Sequence, residues 1–355
     1  MTTPTRCHVL VERATHRRSS AAAGIRAFSV CRNERLRLPA FLNHYRSLGV
    51  DEFLVIDNDS SDGSPEYLAT QPDVRVFRTS DRFGEATQGT DWLNALLAEF
   101  GVGFWCVTVD IDELLVYPGS EQVPLRTLTA YLDRCGYQAL LCMLLDFYPA
   151  GPLKSSSYRS SDDLVAAAPC FDVGPYEKSS FTLCPSVLLR GGMRERVFYP
   201  EFRTRGLWAK IWDTMLYRVA LRTPLLRDKA WLRAWRRPTP PCLTKVPLVR
   251  WDRESRFLHC THWVTHKIIA PETGLLLHFK FLQDFHARAT EEAARDEHYD
   301  GAAEYRRYAE KLSQNPDLTL MYEGSIRFEE TSQLVQLGLM QDTEAWAAVR
   351  THRIT

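Results

Sequence analysis

From residue 26 onward the apolar positions fall into two rhythms. Residues 27–31 are a short apolar run of strand length. Over 34–48 the apolar residues Leu38, Phe41, Leu42, Tyr45 and Leu48 recur three and four apart, which is helical spacing, and Gly49 supplies a stop. Residues 53–56 read as a second buried strand. The stretch 57–64 is dense in Asp, Ser, Asn and Gly and reads as a loop, with Ser60 or Ser64 as a helix cap. A third strand at 74–77, a helix at 92–100 and a fourth strand at 104–109 follow, the last running into Asp110.

Strand, helix, strand, short helix, strand, helix, strand is the order of an α/β fold, a mostly parallel central sheet flanked by helices. In such sheets ligands bind outside the carboxyl ends of the strands. Three polar clusters fall there: Arg32-Asn33-Glu34, Asp57-Asn58-Asp59 and Asp110-Ile111-Asp112. Later segments are less regular. Residues 139–147 are apolar, 188–198 carry Gly191-Gly192, 275–281 are apolar around His278 and Lys280, and 289–312 read as one charged helix. No internal repeat is visible.

Composition changes this picture in three places. The chain is neutral, with 44 Lys and Arg against 44 Asp and Glu, which argues against a general nucleic-acid binder. Yet residues 203–237 hold ten basic and two acidic residues together with Trp208, Trp212, Trp231 and Trp235. The span 203–241 therefore reads as a helical, basic, Trp-rich insert, suited to peripheral contact with a membrane or to a glycan-binding wall. No apolar stretch approaches the roughly 20 residues that cross a bilayer. The nine cysteines include no CxxC pair, and Cys106 and Cys142 lie in apolar runs, so reduced, buried thiols in a cytoplasmic protein are expected. The expected organisation is a loosely ordered leader over 1–24, a core domain over 25–330 and a tail over 331–355.

The candidate chemistry centres on Asp110-Ile111-Asp112-Glu113. A turn at a strand end can aim both aspartates at one hard cation, and Mn²⁺ or Mg²⁺ accepts such ligands and is completed by substrate phosphates. An acid after a strand, as at Asp57, can accept from a nucleobase N–H or from ribose hydroxyls. Gly63 and Leu68 spoil the spacing of a calcium loop there. A strand through Leu-Leu-His-Phe-Lys-Phe would put His278 and Lys280 on one face, His278 as a third metal ligand and Lys280 against phosphate. His259 and His262 are weaker candidates. Gly191-Gly192 opens a loop for an acceptor, with Glu195 as a proton acceptor and Asp172 as its rival.

Together these residues resemble bacterial glycosyltransferase family 2-like proteins. Ser29-Val30-Cys31-Arg32-Asn33-Glu34 is similar to that family's opening strand motif, and 55–64 to its acid-rich segment, with Asn58 where a second Asp is usual. Residues 105–118 resemble the strand of a subgroup carrying Asp-x-Asp-Glu-Leu-Leu, and 191–198, 245–251 and 277–282 resemble its later motifs. The resemblance covers about 26 to 308. It implies a GT-A type fold, a UDP-sugar or similar donor and a usually inverting hexosyltransferase-like reaction. Arg32, Asn33, Glu34, Asp57, Asn58, Asp59, Asp110 and Lys280 would bind the nucleotide sugar, and Asp110, Asp112 and His278 the metal. The acceptor would be a glycan, a lipid-linked sugar or another hydroxyl, at the inner face of the membrane if lipid-linked. The alternatives are a haloacid-dehalogenase-like phosphatase, which also ends a strand in Asp-x-Asp, and a degenerate homologue that only binds glycans. A dinucleotide dehydrogenase lacks its Gly-x-Gly-x-x-Gly here.

Overall fold

The computed structural model of the chain describes residues 11–14, 24–160, 162–180, 187–206, 208–210, 212, 213, 215, 238–258, 260–265 and 267–354. Two compact units make up the chain, residues 1–173 with 244–355, and residues 174–243.

The first unit is built on nine strands: β1 (Val11–Ala14), β2 (Ile25–Cys31), β3 (Glu52–Asn58), β4 (Val74–Thr79), β5 (Trp105–Thr108), β6 (Glu113–Val116), β7 (Ala139–Asp146), β11 (Thr244–Arg250) and β14 (Ile269–His278). They form one sheet in the order β1-β4-β3-β2-β5-β11-β7-β14-β6. Strands β4, β3, β2, β5, β7 and β14 run one way; β1, β11 and β6 run against them. The chain steps outward from β2 through β3 to β4, and β5 then returns to the other side of β2. That reversal is the switch point at which α/β sheets open a crevice. Small ribbons pair β8 (Cys170–Asp172) with β15 (Ser325–Arg327), and β12 (Phe257–Leu258) with β13 (Cys260–Val264). The second unit contains the hairpin of β9 (Tyr176–Ser180) and β10 (Val187–Gly191).

The helices of the first unit are α1 (Leu38–Leu48), α2 (Ser64–Ala69), α3 (Thr90–Leu96), α4 (Leu125–Cys135), α5 (Leu164–Ala167), α8 (Phe285–Arg295), α9 (Tyr299–Gln314), α10 (Thr331–Gln336) and α11 (Glu344–Ile354), and the second unit holds α6 (Gly192–Phe198) and α7 (Pro200–Arg203). All seven residues of β3 are buried, as a strand covered on both faces requires.

Several expected elements shift, each for a local reason. The first helix starts at Leu38, not at residue 34, because Pro39 is tolerated only in a first turn. The Glu34 carbonyl closes that turn by accepting from the N–H groups of Arg37 and Leu38. Asp57 and Asn58 belong to β3 rather than to a loop: their register with Arg78 and Thr79 of β4 carries the pairing past the apolar run. The helix at 92–100 is α3 followed by a single wide turn at Leu97–Gly101. The helix read over 289–312 is two, broken where Asp296 takes a left-handed conformation (φ 54°). Strand β14 ends at His278, so Lys280 lies beyond it and not on a shared strand face. Gly191-Gly192 joins β10 to α6 instead of opening a loop.

Val11–Ala14, in the segment read as a leader, is an edge strand against β4. In the segment read as a tail, Trp346 of α11 is fully buried between Tyr117 and Tyr131 and donates to the Pro118 carbonyl at 2.9 Å. The described cysteines are free, and Cys31, Cys106, Cys142 and Cys170 are buried. Gly274 of β14 sits where a Cβ would fall 2.7 Å from the Val116 carbonyl and 2.8 Å from Cys142 Sγ, so no side chain fits between β6 and β7 there.

Helix α1 braces the start of β6. Tyr45 Oη donates to the Glu113 carbonyl at 2.9 Å and accepts from Leu115 N at 3.0 Å, and His44 Nε2 meets the Leu115 carbonyl at 2.8 Å. Burial lowers the His44 pKa from 6.5 to about 4, against the opposing pull of that carbonyl. A depressed folded pKa contributes stability above the unfolded value that is lost as pH falls through the folded one. Denaturant unfolding should therefore show stability declining from pH 6.5 toward 4. His44→Gln, which keeps a donor for Leu115, should flatten that slope; equal slopes in the two proteins would clear His44 of the effect.

Candidate functional site

The sheet delivers the charged residues to one edge from both strand directions. Carboxyl ends of parallel strands supply Asp57 from β3, Asp146 from β7 and His278 from β14, and Asp110 follows β5. Amino ends of antiparallel strands supply Glu113 from β6 and Lys245 from β11. Register fixes the heights: His278 stands opposite Asp146 on one side and Glu113 on the other.

The Asp110–Glu113 turn is closed by the Glu113 N–H donating to the Asp110 carbonyl at 3.1 Å, while Glu113 Oε2 accepts from Asp110 N at 3.1 Å. Lys245, 3 % exposed, places its Nζ 3.0 Å from Asp110 Oδ2, 3.0 Å from Glu113 Oε1 and 3.2 Å from Thr261 Oγ1. Burial disfavours the ammonium, but the two carboxylates outweigh it and raise its pKa. Lys245 likewise outweighs burial at Asp110 and holds that carboxyl below its ordinary range. Glu113, buried and beside the Asp110 charge, is pushed up to about 7 despite Lys245.

Asp112 points the other way. The Phe279 N–H donates to its carbonyl at 2.8 Å, and its Oδ2 lies 3.4 Å from His278 Nε2. His278 Nδ1 lies 2.7 Å from Asp146 Oδ1. Burial would raise the Asp112 pKa, but His278, with Arg288 and Lys280 beyond, holds it well below the usual carboxylate range. Burial opposes charge on His278, and Asp112 and Asp146 together raise its pKa.

Asp112 and His278 together offer two donor atoms at the spacing of neighbouring ligands. Bonds of roughly 2.1 Å put neighbouring ligands of an octahedral ion about 3 Å apart, close to the Asp112–His278 spacing. A carboxylate on Nδ1, as Asp146 is here, orients the ring, the outer-shell arrangement that metal-ligating histidines use. Among the described residues no three His, Cys, Asp or Glu side chains form a metal cage of their own. Asp110 is engaged by Lys245 rather than joined to the Asp112–His278 pair.

The other predicted residues meet at the same edge. Asp57, fully buried, accepts from Arg78 Nε at 3.0 Å through Oδ2, while Oδ1 has no hydrogen-bond partner within the protein. Asn58 donates to the Thr79 and Asp81 carbonyls and leaves its own Oδ1 unpaired. Arg32 Nη1 donates to the carbonyls of Asn58 and Asp59 at 2.9 and 3.2 Å. Asn33 and Asp59 adopt left-handed backbone (φ 51° and 56°). Ser60 accepts from Asn33 N and Ser64 from Glu34 N, so these serines tie the acid-rich loop to the end of β2 instead of capping α2. Glu34 pairs with Arg288 and Arg37, and burial pushes it up to about 7. Lys280 sits 3.9 Å from Glu304 and over the Tyr305 ring at 4.7 Å.

Asp172 and Glu195 are the predicted proton acceptors. Asp172 on β8 is buried and accepts from Tyr148 Oη at 2.5 Å. Glu195 belongs to the second unit, on α6, with Oε2 unpaired; burial and Glu177 raise its pKa against Lys210, Arg203 and Arg190. His262 Nδ1 lies 2.5 Å from the Thr244 carbonyl, and His259 falls outside the described residues.

Sequence reasoning missed four side chains. Lys245 and Asp146 are the polar residues at the sheet edge of two apolar strands, a signal that was present. Arg37, fully buried, donates to the Phe279 carbonyl at 3.0 Å and grips Asp284 with both terminal nitrogens at 2.7 Å, stapling the turn after β2 to the chain beyond His278. Arg288 joins Glu34 to that staple, and its Nη1 has no hydrogen-bond partner within the protein. A scan of protein-family models and a search of curated proteins return no match to this chain.

Removing one member of a buried ion pair leaves an uncompensated charge and costs about 3–5 kcal/mol. Lys245→Ala should lower unfolding stability by that amount, read from urea denaturation at pH 7. A loss below about 1 kcal/mol, the range of a surface pair, would show that the Asp110–Glu113 turn holds without it.

Proposed function

We propose that the chain is a metal-dependent glycosyltransferase that moves a sugar from a nucleotide-sugar donor, a UDP-sugar first among them, to a hydroxyl acceptor. The observation that carries this reading is the arrangement at the switch point of the sheet. A buried Asp57 and Asn58 with unpaired oxygens stand on one side, and the Asp112–His278–Asp146 chain stands near the other end of the same edge.

On this reading Asp57 Oδ1 accepts from the base or ribose, and Arg32 and Asn33 hold the loop that frames it. Asp112 and His278 would hold Mn²⁺ or Mg²⁺, and the bound ion would neutralise the charge that develops on the leaving diphosphate. Arg288 and Lys280, whose charges already reach Asp112, add positive potential for the same group. Asp146 keeps the His278 proton on Nδ1. Asp110, 55 % exposed at its side chain, offers its second oxygen to ribose or water while Lys245 retains the first. Glu195, a buried carboxyl of raised basicity, and Asp172, which accepts from Tyr148, remain the candidates for proton removal from the acceptor. The reading includes a GT-A type fold and a cytoplasmic setting, where reduced thiols persist.

A donor screen by thermal shift across nucleotide sugars, with and without Mn²⁺, tests the class; no metal-dependent stabilisation by any donor would overturn it. Asp112→Ala should cut transfer or donor hydrolysis about 10²-fold or more, the scale of losing one electrostatic stabiliser, and excess chelator should do the same. Full activity in either case would sink the metal assignment. Asp57→Asn should weaken nucleotide binding by about 1–3 kcal/mol. Unchanged affinity by calorimetry would move base recognition away from Asp57.

A further inference from the structure

Charge is divided unevenly between the two units. Residues 174–243 contain fourteen Lys and Arg against five Asp and Glu, a net of +9, in a chain whose formal charge is zero, so the remainder carries −9. Exposed apolar side chains concentrate in the same unit. Trp208 is 82 % exposed, Trp212 52 % and Met215 51 %, three of the six large hydrophobics exposed among the described residues. Residues 208–210, 212, 213 and 215 are helical, and Trp208, Trp212 and Met215, at i, i+4 and i+7, share one face. The opposite side is anchored: Asp213, 5 % exposed, accepts from Arg205 at 2.7 Å, and buried Phe202 lies under Arg205 and Lys210, each 5.2 Å from its ring. Held on that side, the helix presents its tryptophans to solvent.

We propose that this face docks on an anionic bilayer surface, with Trp208, Trp212 and Met215 entering the headgroup region and the basic excess of the unit drawn to acidic lipid. Tryptophan beside Lys and Arg is the composition of helices that lie in the interface plane. A net of +9 favours a surface of negative potential over a neutral one. Contact is peripheral, since no helix of the described residues is long and apolar enough to cross a membrane. The inference is independent of the glycosyltransferase reading and would hold for any enzyme acting on a lipid-borne substrate.

The test is flotation of the full chain with phosphatidylcholine vesicles containing about 30 % phosphatidylglycerol, beside vesicles of phosphatidylcholine alone. Expected are co-flotation with the anionic vesicles only, loss as salt rises from about 50 to about 500 mM, and a blue shift of tryptophan emission on binding. Trp208→Ser with Trp212→Ser should reduce vesicle affinity about tenfold or more with an unchanged far-ultraviolet dichroism spectrum. Absence of binding by the wild type at low salt overturns the proposal, as does undiminished binding by the double variant. A wild-type dimer that the double variant dissolves, with no vesicle binding, would instead assign the face to a second copy; retention on a glycan array without vesicle binding would assign it to sugar.

Discussion

A buried ammonium holds the centre of this molecule together. Lys245 enters on β11, a strand that runs against its neighbours, and meets Asp110 and Glu113 from opposite ends of one turn. Two carboxylates so close would repel each other, and one would take up a proton to relieve the strain. The lysine keeps Asp110 charged and leaves Glu113 as the acid that burial and the Asp110 charge push up to about 7, while Asp112, next in the turn, faces His278. Within the turn, one acid serves the protein's own cation and the next pairs with His278.

The second constraint is mechanical. Four segments meet at the sheet edge: the turn after β2, the Asp110–Glu113 turn, the end of β14 and the start of α8. Arg37 joins three of them, through Glu34, the Phe279 carbonyl and Asp284. Arg288 repeats part of the same staple one helical turn further on. A planar guanidinium suits this work because it stays charged and offers several donors in fixed directions. Arg288 also carries its charge to Asp112.

The part of the site on the first strands of the sheet was legible in the sequence. There an apolar run ends and polar residues begin, and that transition marks Arg32, Asp57 and Asp110 without any knowledge of pairing. The other part depends on partners that a local pattern does not contain. Lys245 and Asp110 are brought together by antiparallel pairing of β11 with β5, and His278 and Asp146 by parallel pairing of β14 with β7. Helix boundaries missed for smaller reasons: Pro39 moved one start by four residues, and a left-handed Asp296 divided what periodicity joined. Glu195 looked like a loop residue because Gly191-Gly192 suggested a turn, whereas the glycines meet the close approach of Pro175 and Tyr176.

Gly274 bears on how the chain reaches this state. The strand it serves pairs β14 with β6, which lies roughly 160 residues earlier. Contacts so distant form late, because the entropy of closing a long loop must be met before the pairing rewards it. Until β14 seats, β6 and β7 present open edges, and the Asp110–Glu113 turn lacks its histidine. A glycine at that position admits the strand without requiring its neighbours to move apart. The Asp112–His278–Asp146 chain is therefore complete only when the final strand of the sheet is in place.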